Sequence, residues 1–158
     1  MYIWSKQEYM KSIFEPATLQ EINQRIDSLK PDAKRQWGKM DAAQMLAHCS
    51  NALEVTVGDK SPKSTFMGKI LGRLVKSVIT NEKPFKPNMP TDPSFIIPDS
   101  RNFEKEKQRL KTLLTRVSTG GANTLQNRKH PFFGPLTPQE WSNSTVKHMD
   151  HHLRQFGA

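Results

Sequence analysis

The chain has a single cysteine, Cys49, among its 158 residues. No disulfide can therefore form within it, and this cysteine usage fits a reducing cytosol, so a cytoplasmic protein is expected. Long apolar runs are also missing. The longest near-apolar window, residues 66–79, is broken by Lys69, Arg73 and Lys76, whereas a membrane span needs about 20 consecutive apolar residues. The first eight residues do not place a charged stretch ahead of an apolar one, so no secretion signal is expected. Aliphatic content is low. Leu, Ile, Val and Phe make up about a fifth of the chain, and the mean hydropathy is −0.70.

Acidic residues are outnumbered by basic ones, 15 to 24, giving a net charge of +9 and a pI near 9.8. That balance permits contact with a polyanion without establishing it. No helix-turn-helix, zinc-finger or aromatic RNA-binding motif accompanies the charge, so nucleic acid is not an expected partner. The length suits one domain over residues 1–158, in which folding buries roughly 68–70% of the unfolded surface.

What is present is helical periodicity. Leu19, Ile22, Ile26 and Leu29 share one face of a helix over residues 18–29. Asp41 with Gln44 forms a capping box that opens a second helix, closed after residue 57 by Gly58. A third covers residues 64–80 and a fourth residues 102–118. The last begins at Thr137, with Pro138 in its first turn and Glu140 three residues after the cap. Residues 84–100 carry five prolines, which exclude a helix and disfavour a central strand. Phe85, Met89, Phe95, Ile96 and Ile97 are too apolar for a free linker, so this segment reads as an ordered loop over the end of a bundle. Strand-like alternation is nearly absent, and the expected fold class is all-α.

The last helix carries three of the five histidines. On a wheel of about 100° per residue, Val146, Met149, Leu153 and Phe156 form a core-facing stripe, flanked by Trp141, Thr145, His148 and His152. His151 falls on the opposite side with Ser144, Lys147 and Arg154, and is expected in water. His148 and His152 stand at i and i+4, where two imidazoles from adjacent turns can meet on one ion. Met149 stands where a zinc-protease helix has glutamate, so that motif is absent. A third ligand must come from elsewhere. His48, on the second helix among Met45, Ala52 and Val55, is the candidate. Two half-buried histidines at a helix edge, with His48 a hydrogen-bonded core residue, account for the same pattern equally well.

Asp41 and Gln155 are candidate partners of such ligands, although Asp41 is better explained as a cap and Gln155 as a polar residue at the bundle edge. Cys49 lies about 100° round the helix from His48 and reads as a buried thiol. His130, before Pro131, reads as an anchor for the turn into the last helix. Trp37 and Trp141 read as core or pocket-wall residues. In the third helix Phe66, Ile70, Leu74 and Val78 form an apolar side and Lys69, Arg73 and Lys76 a basic stripe. This is the pattern of a bundle helix with a solvated cationic face. It also suits an anionic membrane surface.

Several stretches carry a likeness: residues 37–41 (WGKMD), 45–48 (MLAH), 130–141 (HPFFGPLTPQEW) and 148–156 (HMDHHLRQF). In order and content they resemble the DinB/YfiT-like superfamily, and within it a branch of small bacterial proteins of unknown function. The resemblance implies a four-helix bundle with a long crossover, here the Pro-rich one. It also implies a divalent metal held by three histidines, matched by His48, His148 and His152, with nickel or zinc as the ion. Relatives include thiol-dependent S-transferases and hydrolases. The function so implied is a metal-dependent enzyme that activates water or a thiol for attack on a small electrophile. Its partners would be a small-molecule substrate, a low-molecular-weight thiol and a second copy in a homodimer. The alternative is a non-catalytic, metal-stabilised binding or stress protein whose basic face contacts a polyanion.

Overall fold

The computed structural model describes residues 11–64 and 66–158; the amino-terminal stretch read for a secretion signal lies outside them. Among the described residues five helices follow one another: α1 (Pro16–Ser28), α2 (Ala42–Val57), α3 (Phe66–Thr80), α4 (Phe103–Gly120) and α5 (Pro138–Gln155). Short 3-10 turns at Pro93–Phe95 and Ala122–Leu125 punctuate the connections. Two strands, β1 (Lys129–His130) and β2 (Gly134–Pro135), pair antiparallel with His130 opposite Gly134. The fold is an all-α bundle. No helix among the described residues is long and apolar enough to cross a membrane.

Helices α2, α4 and α5 each start where a side chain satisfies free backbone groups. Asp41 accepts from the Gln44 N–H at 2.8 Å while the Gln44 side chain accepts from the Asp41 N–H at 3.0 Å. Thr137 and Glu140 make the same reciprocal pair at the start of α5, at 3.2 and 2.8 Å. Asn102 caps α4 through the Lys105 N–H, and α1 begins on Pro16 with no side-chain cap. Gly58 ends α2 with φ of 87°, a left-handed conformation open to glycine.

Four of the five helices enclose the core. Ile22 and Ile26 of α1, Met45, Leu46 and Leu53 of α2, Leu110 and Leu114 of α4, and Met149 and Leu153 of α5 pack into one cluster. The side of α5 that the sequence assigned to the core is therefore buried in it. The α2–α4 seam is also tied at its rim, where Arg109 reaches Glu54 at 2.6 Å and Glu106 at 2.9 Å.

Helix α3 contributes nothing to that core. Its buried residues are Gly72 and Thr80, and Phe66, Ile70, Leu74 and Val78 are exposed. The expectation of an apolar side packed in the bundle is thus reversed. The helix is held by its small and polar side. A Cβ on Gly72 would overlap the Phe132 carbonyl, so only glycine permits this approach. Lys76 donates to the Pro135 carbonyl at 2.8 Å and meets Glu140 at 3.2 Å. At the other end, Asn143 donates to the Thr80 carbonyl at 3.0 Å and Lys147 to the Val78 carbonyl at 2.7 Å.

These last contacts overturn another expectation. Lys147 and His151 are not in water but 5% and 8% exposed. The flank of α5 opposite the core is roofed by α3 and the Pro-rich segment. Lys147 places its ammonium among the free carbonyls ending α3, the negative pole of that helix, and 4.5 Å from the centre of the Phe85 ring. Burial pushes its pKa down to about 8. His151 lies between the Trp37 and Phe85 rings, at 5.4 and 5.9 Å. Arg154 is exposed, as expected.

The Pro-rich segment is an ordered strap over the bundle, as its apolar residues implied. Ile97 is buried, and the Gln44 amide donates to the carbonyls of Ile97 and Asp99 at 3.1 and 3.2 Å. The residue that completes the α2 cap therefore also holds the strap.

Candidate metal centre

Helices α2 and α5 cross so that His48, His148 and His152 meet. Their ring centroids are 4.6 to 5.0 Å apart, and one nitrogen from each lies within 4.8 Å of the others. His48 Nε2 and His148 Nε2 are 3.0 Å apart. His48 and His152 are buried and His148 is partly so.

The outer nitrogens settle the protonation of the inner ones. His48 Nδ1 is 2.9 Å from the Phe95 carbonyl oxygen. A carbonyl only accepts, so Nδ1 carries the hydrogen and Nε2 of the neutral ring presents a lone pair inward. His152 Nδ1 is 2.8 Å from Gln155 Oε1. The amide cannot be reversed, because its nitrogen donates to the Trp37 carbonyl at 2.8 Å. His152 therefore also donates through Nδ1 and leaves Nε2 bare. Second partners that fix ring orientation and tautomer are the usual support of histidine ligands.

Two bare nitrogens and a third imidazole, converging with no carboxylate among the described residues, are a donor set for a borderline divalent ion. Two imidazole nitrogens at 2.0–2.1 Å from one tetrahedral ion lie roughly 3.3 Å apart, and the 3.0 Å between His48 and His148 is close to that. The cluster can hold a metal ion.

Electrostatics keep the donors neutral. Burial lowers the pKa of His48. It lowers His148 well below the ordinary value, with His152 and His48 adding to the effect. Burial, followed by the neighbouring His48, pushes His152 down to about 3. Protons therefore do not compete for the lone pairs near neutral pH.

The surroundings are aromatic. Phe95 stands edge-on to His48 at 6.4 Å, and Phe132 stands edge-on to Phe95 at 6.2 Å. One support escaped the sequence reading. The Phe95 carbonyl is a backbone group, for which side-chain spacing gives no signal. Gln155, which the sequence offers both as a partner of the ligands and as a polar residue at the bundle edge, is 3% exposed and positions His152. Its place three residues after His152 was the available clue.

The remaining candidates lie outside the cluster. Asp41 caps α2. Cys49 is buried with its thiol beside Met45, and burial raises its pKa. His130 anchors its turn, accepting from the Phe132 N–H at 3.1 Å and stacking on Phe133 at 4.2 Å. Burial brings its pKa down to about 4. Trp141 is buried in a small cluster with Leu125 and Leu136, while Trp37 walls His151.

No curated protein and no solved structure matches the chain. The model of a family described as "Protein of unknown function (DUF1569)" matches residues 11–158, a span that holds all three histidines, and the chain belongs to that family.

Proposed function

We propose that the protein is a metal-dependent enzyme in which His48, His148 and His152 hold a divalent ion, nickel or zinc. The observation that carries this reading is the inward pair of bare nitrogens, His48 Nε2 and His152 Nε2. Each is fixed from behind by a hydrogen bond from Nδ1. The motif likeness to the DinB/YfiT-like superfamily supports the same ligand set.

A divalent ion so bound lowers the pKa of a water or thiol, supplying a nucleophile near neutral pH. The chain's own residues do the rest. Three neutral imidazoles would hold a divalent ion without neutralising its charge. Phe95 and Phe132 place apolar rings on one side, and an apolar wall strengthens the charge interactions beside it. Gln155 keeps the His152 ring from turning. The reaction class is attack of water or a low-molecular-weight thiol on a small electrophile.

The test is elemental mass spectrometry of untagged protein beside His48→Ala and His148→Ala variants. A near-stoichiometric ion in the wild type, lost in both variants, is expected, together with metal-dependent turnover of an electrophile by water or thiol. Protein that holds no ion and takes up neither nickel nor zinc on reconstitution overturns the reading. A stoichiometric ion without turnover assigns the metal to stability instead.

A further inference from the structure

Helix α3 is built inside out. Phe66, Met67, Ile70, Leu71, Leu74 and Val78 are between 40% and 78% exposed, on a helix whose buried residues are Gly72 and Thr80. Single apolar side chains on a surface are ordinary. A contiguous row of large ones along a whole helix marks an interaction face. The orientation is fixed rather than incidental, because the Phe132 backbone occupies the space a Cβ on Gly72 would need. Lys147 and Asn143 hold the carbonyls at its far end.

Charge says what the face meets. Residues 60–81 contain five cations and no acid. Lys60 and Lys76 are paired within the protein, with Glu54 and Glu140. Lys69 and Arg73 are exposed and have no ion pair among the described residues. On a wheel Arg73 lies about 20° beyond Phe66, at the edge of the apolar arc, and Lys69 about 60° beyond it, towards Lys76. An apolar arc about 180° wide with cations at its border is the arrangement of a helix lying in a membrane interface. At 1.5 Å per residue, its 15 residues cover roughly 22 Å of surface.

A second copy of the chain fits this face less well. Two-fold pairing of antiparallel α3 helices brings both cationic edges to the same side, with no acid between residues 60 and 81 to answer them. An anionic bilayer answers the arc and the edge together.

We propose that α3 is a membrane-surface helix that docks the protein on anionic bilayers, its apolar arc among the acyl chains and Lys69 and Arg73 at the headgroups. The rest of the protein then hangs from the Gly72 side, and docking requires no rearrangement of the bundle.

The experiment is co-sedimentation of the full chain with vesicles of phosphatidylcholine alone and of phosphatidylcholine with a quarter phosphatidylglycerol. Leu74→Glu and the double change Lys69→Glu with Arg73→Glu serve as variants. All three residues are exposed, and circular dichroism checks that each variant is folded. Binding to the anionic vesicles is expected, weakened by high salt. It should fall by about tenfold or more in each variant. Failure to sediment with anionic vesicles overturns the proposal, as does equal binding to both vesicle types. Light scattering that finds a dimer split by Leu74→Glu, with no vesicle binding, assigns the face to a second copy and equally overturns it.

Discussion

Helices α2 and α3 have nearly the same length, 16 and 15 residues, and both are rich in aliphatic side chains. One is the centre of the molecule and the other its outer skin. In α2, Leu46, Leu53 and Val55 are buried among the neighbouring helices. In α3 the corresponding large side chains face out, and a glycine faces in. Apolar content therefore does not decide which side of a helix meets the body. Shape and polar satisfaction decide here. The Phe132 carbonyl fits only against a residue without a side chain, and the carbonyls ending α3 need the donors that Asn143 and Lys147 supply.

Three substitutions break or sharpen that contrast. Leu46→Ala removes a fully buried side chain and is expected to cost about 2–5 kcal/mol, read as a lower midpoint in urea unfolding. Gly72→Ala forces a methyl group into the Phe132 backbone. The expected cost is about 1–3 kcal/mol, with faster hydrogen exchange confined to α3 and the turn around Phe132. Uniform loosening of α2 and α4 in that variant would mean that α3 is part of the core after all. Leu74→Ala is as large a truncation as Leu46→Ala, but at a site 72% exposed. It is expected to change the unfolding free energy by less than about 0.5 kcal/mol. A cost near that of Leu46→Ala would show that the face is covered in the isolated protein.

Much of this architecture was legible in the sequence, because caps and periodicity are local. The two capping boxes, the glycine stop at residue 58 and the core stripe of α5 depend on residues within a few turns of one another. The His148–His152 pair was legible for the same reason, since i and i+4 share a face. The sides of α3 and of Lys147 and His151 were not. A helical wheel gives directions relative to one stripe and is blind to what roofs the other side. Here a fifth helix and a Pro-rich strap cover a flank that a four-helix plan leaves in water. Gly68 and Gly72, four residues apart, were the available hint that α3 approaches its neighbour by that side. The Phe95 carbonyl was beyond reach, because a backbone acceptor takes no notice of residue type.

The capping boxes have a consequence beyond helix stability. A helix is a dial that advances about 100° per residue, so where a side chain points depends on where the counting begins. Asp41 fixes the zero of one dial, and His48 falls seven positions later. Thr137 fixes the other, and His148 and His152 fall eleven and fifteen positions on. Gln44 passes the first zero on to the strap through the Ile97 and Asp99 carbonyls, and the strap delivers the Phe95 oxygen to His48. Separate stretches of chain are thereby kept in phase, and one residue lost between a cap and its histidine would swing that ring a quarter-turn out of step.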